Sequence, residues 1–210
     1  MQEQINNLSL KEIKKNLLLK YGVEGEIIKL YGELDLNFKV KSTNGAAYLL
    51  KISRSDFDPN FINYQNSLIK HINKHCEIKT NSIVRSIDMQ ESSLIKDKNN
   101  VDRSLRLLTW IDGRLWSSVN PIKKKLRNQL GSYSALISKS LESFDHNFSK
   151  RNIDWDISKS LWVEKYLSKF STEQIKILNN FISDFKKNLD LYDGLEKSVI
   201  HNDINDNNII

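Results

Sequence analysis

The closing run Val199-Ile200-His201-Asn202-Asp203-Ile204-Asn205-Asp206-Asn207-Asn208-Ile209-Ile210 holds a carboxylate and a carboxamide five positions apart, between two short apolar pairs. Read as His-x-Asp-x4-Asn, it is suited to phosphoryl transfer. Asp203 would orient an attacking hydroxyl or take its proton, and Asn208 would offer a neutral oxygen to Mg2+, a cation that prefers oxygen ligands. His201 is placed to brace the loop rather than to react. Lys, Ile and Asn make up 72 of the 210 residues, and in such a composition the pattern arises by chance about 0.03 times. The rest of the chain must therefore supply a phosphate contact and a nucleotide cleft.

A phosphate contact is available at Lys51. Within Ala46-Ala47-Tyr48-Leu49-Leu50-Lys51-Ile52, strand alternation puts Tyr48, Leu50 and Ile52 on one face and Ala47, Leu49 and Lys51 on the other. An ammonium sharing a face with apolar residues fits a lysine that projects over a cleft, with an edge-strand lysine at a solvated rim as the alternative. Upstream, residues 30–40 lie where a loop covering phosphates would sit. They contain one glycine, Gly32, so a cradle there would rely on backbone N–H groups with help from Asn37, and an ordinary hairpin is the competing reading. Downstream, the helix after Lys51 offers no Glu to pair with it. Its best-placed polar side chain is Gln65, a neutral acceptor, or else a solvated glutamine.

Local signals outline the elements that must hold these residues. Ser9 and Glu12 form a capping-box pattern for a helix over 9–21 that Gly22 ends. Strands are expected over 26–31, 36–42 and 46–53, with Asn44-Gly45 supplying the positive backbone angles of a tight hairpin. Asp58-Pro59 should open a helix to about His75. Two further strands, 82–94 and 102–110, are joined by the polar turn 97–100. Beyond Gly113 the pattern turns helical, with openings at Asn120-Pro121, Asp156 and Ser171, the last with Gln174 completing a capping box for a helix to about Leu191. The expected division is therefore an N-lobe over 1–110, built from one helix, an antiparallel sheet and one inserted helix, followed by a helical lobe over 111–210.

Composition narrows the functional classes. A chain of 210 residues with 39% hydrophobic content suits one large domain or two small lobes. The start Met1-Gln2-Glu3-Gln4 carries no targeting pattern and no apolar run reaches a membrane span, so a cytoplasmic protein without membrane partners is expected. The single Cys76 excludes an internal disulfide and a cysteine-based zinc site. The net charge of +6 comes from 25 Lys and 7 Arg that are scattered apart from Lys123-Lys124-Lys125. That distribution argues against a nucleic-acid partner, while a positive field suits an anionic nucleotide. The oligomeric state is left open.

Taken together these residues resemble the aminoglycoside phosphotransferase and choline kinase-like family. Glu33-Leu34-Asp35-Leu36-Asn37-Phe38, Tyr64-Gln65-Asn66, residues 107–114, Phe144-Asp145-His146, Asp154-Trp155-Asp156 and the closing motif look like its hydroxylysine kinase-like branch. The resemblance spans about residues 10–210. It implies an α+β, protein-kinase-like two-lobed fold with a β-rich N-lobe and an incomplete helical C-lobe. It also implies transfer from ATP or GTP, with Mg2+, to a hydroxyl of a small amino-containing metabolite such as a hydroxylated amine or amino acid. On this resemblance Lys51 meets the phosphates, Asp203 is the catalytic Asp, Asn208 is the metal-binding Asn, and the segment around Trp110 and Ile111 is the hinge that receives the nucleobase. Asp154, Trp155 and Asp156, with Trp162, are candidates for an ammonium-bearing substrate, against a reading of Asp156 as an N-cap and Trp155 as packing. The family's next strand and its metal-binding Asp turn do not follow Ile210. The expectation is thus a C-terminally truncated kinase that turns over little by itself, with a pseudokinase-like binding module as the alternative.

Overall fold

The computed structural model of the chain describes residues 7–151, 153 and 156–210. It separates into two compact units, Met1–Phe148 with Val199–Ile210, and Ser149–Ser198. In the first, helix α1 (Leu10–Tyr21) opens on the expected capping box, and Gly22 closes it at φ 65 with its N–H on the Leu18 carbonyl. Strands β1 (Gly25–Leu30), β2 (Leu36–Ser42), β3 (Ala47–Ile52), β4 (Ile83–Val84), β5 (Ser93–Lys96) and β6 (Asp102–Thr109) form one antiparallel sheet in the order β1-β2-β3-β6-β4, with β5 also on β6. Helix α2 (Pro59–His75) enters between β3 and β4, capped by Asp58 through the Asn60 N–H. Helix α3 (Lys124–Leu141) follows the sheet.

The two faces of the sheet differ in kind. Phe38, Val40, Leu50, Ile52, Leu105 and Leu107 turn inward on one face and meet Ile13 and Leu17 of α1, each of these buried to 7% exposure or less. Burying a side chain of this size is worth about 1.5–3 kcal/mol, so this layer is the core. Tyr21 adds a hydrogen bond from its hydroxyl to the Leu105 carbonyl at 3.0 Å. Burial pushes its phenol above the ordinary range. The other face carries Asn37, Lys39, Lys51 and Arg106, and α2 lies over it through hydrogen bonds to Arg106.

Several expected boundaries move for local reasons. The stretch 82–94 is two strands, because between them Ser86 and Gln90 bond to each other and Met89 sits at φ 59. A run whose N–H groups are met within the turn and, at Ile87, by the Lys20 carbonyl of α1 leaves the β6 ladder. At the hairpin only Gly45 has a positive φ, 87; Asn44 instead accepts the Ala46 N–H on its side chain. Helix α3 starts at Lys124 rather than at Pro121, with Lys123 as its cap. The β5–β6 hairpin is closed by a buried ion pair. Asp97 accepts the N–H groups of Asn99 and Val101 and pairs with Arg103 at 3.0 Å, the two side chains being 1% and 2% exposed. Burial raises the Asp97 pKa, but these hydrogen bonds and Arg103 outweigh it and hold the carboxyl below its usual range.

In the second unit a 3-10 segment, Ile157–Lys169, precedes α4 (Thr172–Lys187) and the short α5 (Leu189–Asp193). The capping box of Ser171 and Gln174 is present as expected. The single helix anticipated to Leu191 breaks at Asn188, whose side chain donates to the Asp184 carbonyl and so competes with the helical ladder. Among the described residues no helix is long and apolar enough to cross a membrane.

Candidate active site

Lys51 stands next to the last residue of β3, opposite Asn37 on β2 and Arg106 on β6. The register fixes this trio, since side chains directly opposite on adjacent strands share one face. Lys51 Nζ donates to Asn37 Oδ1 at 3.0 Å and pairs with Asp35 Oδ2 at 3.4 Å, the Lys51 and Asp35 side chains being 24% and 18% exposed. Arg106 is almost wholly buried. Its Nη1 donates to Asn66 Oδ1 at 3.1 Å, its Nη2 donates to Gln65 Oε1 at 2.6 Å, and Nη2 lies 3.8 Å from Asp35 Oδ2. Two cations thus share one carboxylate and three neutral amides.

The electrostatics follow from that count. Burial pushes the Lys51 pKa down, Asp35 draws it partly back up, and Arg106 pushes it down again. Burial likewise lowers Arg106, with Asp35 opposing. The face keeps a net positive charge in a partly desolvated setting, which suits an anion carrying several charges.

Gln65, read from the sequence as the partner available to Lys51, instead serves Arg106. Asp35 supplies the carboxylate that α2 lacks. Both Asp35 and Arg106 escaped the sequence reading, although one signal pointed to Arg106: it lies between Leu105 and Leu107 within β6, where a buried guanidinium requires a counter-charge. The β1–β2 loop that carries Asp35 depends on Gly32. A Cβ there would overlap the Asp35 carbonyl oxygen and the Asn37 amide. Asn37 ties the loop in place by donating to the Tyr31 carbonyl at 3.2 Å while it accepts from Lys51.

Helix α2 is held over this face by aromatic packing from the segment after α3. Tyr64 meets Phe144 and His146 at ring distances of 5.9 and 5.4 Å, and Phe61 meets Phe148 at 5.9 Å. His71 donates through Nε2 to the Ser140 carbonyl at 2.7 Å. The Tyr-Gln-Asn and Phe-Asp-His stretches are therefore one contact: the first presents Gln65 and Asn66 to Arg106, and the second grips its tyrosine.

At the end of β6, Trp110 N–H donates to the Ala47 carbonyl, and its indole N–H donates to Asp112 at 3.0 Å. Lys39 Nζ lies 4.2 Å from the centre of the indole ring, within cation-π range. Trp110 and Ile111 are half-buried. The chain then meets the closing loop, with Trp116 N–H on the Ile209 carbonyl and Ser117 N–H on the Asp206 carbonyl at 2.9 and 3.0 Å.

Within that loop Asp203 is gathered by amides. Asn208 Nδ2 donates to its Oδ2 at 2.7 Å and to its backbone carbonyl, and Asn205 Nδ2 donates to its Oδ1 at 2.7 Å. His201 accepts the Asp203 N–H on Nδ1. Asn202, between them, takes the left-handed conformation at φ 58. Asp203 and Asn208 are thus direct neighbours. With its nitrogen on Asp203, Asn208 has its carbonyl oxygen to give a cation. Among the described residues no group of three or more His, Cys, Asp or Glu could hold a metal ion, and this includes the His71 and His75 rings 4.4 Å apart on α2. One neutral oxygen does not offset the dehydration of Mg2+, so these residues do not by themselves make its site.

Of the proposed substrate residues, Asp154 and Trp155 lie outside the described residues. Asp156 is in the second unit, where it caps the 3-10 segment by accepting the Ser158 N–H and hydroxyl at 3.0 and 2.6 Å. The Ser158 hydroxyl holds its carboxyl below the usual range. Trp162 packs edge-on against Tyr166 at 5.8 Å in the same unit.

No protein-family model and no curated protein matches the chain. Solved structures do. An amicoumacin kinase in complex with AMP-PNP, Ca2+ and Ami superposes with a TM-score of 0.67 at 16% identity, over 94% of this chain and 57% of that one. A microcompartment-associated aminopropanol kinase gives a TM-score of 0.55 at 14% identity, over 70% of this chain and 45% of that one. The chain thus spans about half the length of these structures. The likeness is one of fold, and the fold is the α+β, kinase-like one, with its N-lobe sheet and a helical part present.

Proposed function

We propose that this protein is a small-molecule kinase that moves the terminal phosphoryl group of ATP or GTP to a hydroxyl of a small amino-containing metabolite, in the manner of hydroxylysine kinase. The observation that carries this reading is the pair of partly desolvated cations, Lys51 and Arg106, on one sheet face of the same compact unit that holds the Asp203–Asn208 pair. Lys51 would hold the phosphate chain, with Asn37 steadying the loop above it. Trp110 and Ile111 would border the nucleobase, and Gln65 would act through Arg106. Asp203 would orient the acceptor hydroxyl, His201 would shape its loop, and Asn208 would lend one oxygen to Mg2+. Asp154, Trp155 and Asp156 remain the proposed recognition points for the substrate's amino group. The functional division would run near residue 110, between the nucleotide-holding sheet and the acceptor side, in a cytoplasmic protein. The solved kinases of this fold, whose names specify small-molecule acceptors, support the same class of reaction.

The test is direct. Titration with AMP-PNP and with a GTP analogue should show saturable binding by this chain, and in a form of the protein that supplies further Mg2+ ligands radiolabelled γ-phosphate should pass to one member of a panel of hydroxylated amines and amino acids. Absence of any nucleotide binding would overturn the proposal. A second reading, a pseudokinase-like module that binds nucleotide or a partner without transfer, is favoured by one observation: α2 gives Lys51 no carboxylate. Asp203→Asn separates the two, since it should abolish transfer in an enzyme and leave binding near its original strength.

A further inference from the structure

The β1–β2 loop brings a carboxylate to the place where a phosphate would have to bind. Asp35 Oδ2 lies 3.4 Å from Lys51 Nζ and 3.8 Å from Arg106 Nη2, so one oxygen serves both cations. Among the described residues the other side chains hydrogen-bonded to the two cations are neutral: Asn37 on Lys51, Gln65 and Asn66 on Arg106. The members also differ in how they are held. Lys51 and Arg106 sit within β3 and β6, and Gln65 and Asn66 sit in α2. Asp35 alone belongs to a connection outside any regular element, in the turn that Gly32 permits.

We propose that Asp35 is a built-in competitor for the phosphate seat: its carboxylate occupies the two-cation site of Lys51 and Arg106 in the ligand-free protein, and a polyphosphate chain binds by displacing it. The inference rests on reading this face as the nucleotide's phosphate site, and it assigns Arg106 as the second cation that the chain meets. A single carboxylate leaves the seat with one positive charge unmatched. A triphosphate carries enough charge to meet both cations and has several oxygens with which to do so. Without Asp35 the two cations would face each other at low solvation, so the ligand-free protein gains from its presence. Binding then reads as an exchange of one anion for another, in which the loop moves outward as phosphate enters. Apparent affinity is lowered by the share of molecules in which Asp35 holds the seat.

The experiment is calorimetric titration of inorganic tripolyphosphate and of AMP-PNP, at one salt concentration, into the wild-type chain and three variants. Asp35→Asn should tighten both ligands by about ten-fold or more, because the competitor is gone. Glu26→Gln removes a charge from an exposed pair with Lys41 on the same sheet and should change affinity by less than about two-fold, as a distant screened charge does. Arg106→Gln should weaken tripolyphosphate by about ten-fold, the value of one charge-assisted contact. Equal or weaker binding by Asp35→Asn overturns the proposal, as does an equal gain from Glu26→Gln. If AMP-PNP fails to bind while tripolyphosphate tightens in Asp35→Asn, the seat stands and the nucleotide reading falls. Wild-type crystals soaked in tripolyphosphate give a test that needs no variant. Phosphate on Lys51 and Arg106 with Asp35 withdrawn is expected, and phosphate bound with Asp35 still 3.4 Å from Lys51 overturns the exchange.

Discussion

Lys51→Met should make this protein more stable and worse at binding nucleotide, and the two effects come from one cause. The substitution keeps the aliphatic stem and removes the ammonium. At 3.4 Å, the attraction of Lys51 to Asp35 is about 5 kcal/mol at an effective dielectric of 20, before desolvation is counted. Taking the ammonium out of water costs several kcal/mol, and Arg106 on the next strand repels it. The lowered pKa of Lys51, set first by burial, says that these costs exceed the attraction. Asp35 also keeps Arg106 as a partner after the change. The net gain in stability should be about 1 kcal/mol, or about 2–4 °C in Tm for a chain of this size.

The pH dependence has a definite sign. A lysine whose folded pKa lies below its unfolded value binds fewer protons in the folded state, so its penalty is fully present below the folded pKa and fades as pH rises toward the unfolded one. The gap between Lys51→Met and wild type should be constant near neutrality and close as the pH climbs through that window. Nucleotide affinity should fall by about 1.5–3 kcal/mol, the loss of a charge-assisted hydrogen bond to phosphate. Differential scanning fluorimetry between pH 7 and 10.5 reads the first effect, and calorimetry with AMP-PNP reads the second. A destabilised Lys51→Met, or one that binds as well as wild type, would refute the balance described here.

Three other perturbations test separate parts of the structure. Arg103→Ala strands Asp97 in a 1%-exposed site and should cost about 3–5 kcal/mol in urea denaturation. Because the Asp97 pKa is depressed in the folded state, its contribution is present above the unfolded carboxylate pKa and is lost as pH falls through the folded one; Asp97→Asn should flatten that acid limb. Leu17→Ala opens a cavity between α1 and the sheet and should cost about 2–5 kcal/mol by the same assay, with no change in AMP-PNP affinity once folded, since α1 packs on the face away from Lys51. Gly32→Ala should tighten AMP-PNP binding, because the added Cβ meets the Asp35 carbonyl oxygen and the Asn37 amide and so dislodges the loop that delivers the competing carboxylate, while the stability read by urea denaturation should change by less than about 1 kcal/mol.

Much of the scaffold was legible because its signals are local. Ser9 with Glu12 and Ser171 with Gln174 satisfy helix-end N–H groups from within a few residues, Asp58 accepts the Asn60 N–H while Pro59 has none to satisfy, and all three helix starts appear where they were expected. The edges of β2 and β3 follow from alternation that one strand can display by itself. Errors arose where a second, stronger local bond intervened. Residues 85–92 form a turn bonded within itself and, at Ile87, to α1 instead of extending a strand, and Asn188 breaks a helix by reaching its own carbonyl neighbour.

The sequence by itself determined which chemistries were possible. It held a lysine on the less apolar face of a strand, an Asp and an Asn at a spacing that lets one loop bring them together, and a helix without an acidic side chain for that lysine. Tertiary structure alone decided which charges answer which. Asp35 and Arg106 flank Lys51 from opposite directions along the chain, and no periodicity links them. They meet because the register of β2, β3 and β6 sets Asn37, Lys51 and Arg106 side by side. Coulomb energies depend on distance and burial, and both are properties of the assembled sheet. For the same reason Gln65 came to Arg106: an almost wholly buried guanidinium needs more hydrogen-bond acceptors than an ammonium that keeps some contact with solvent, and α2 was the element in reach.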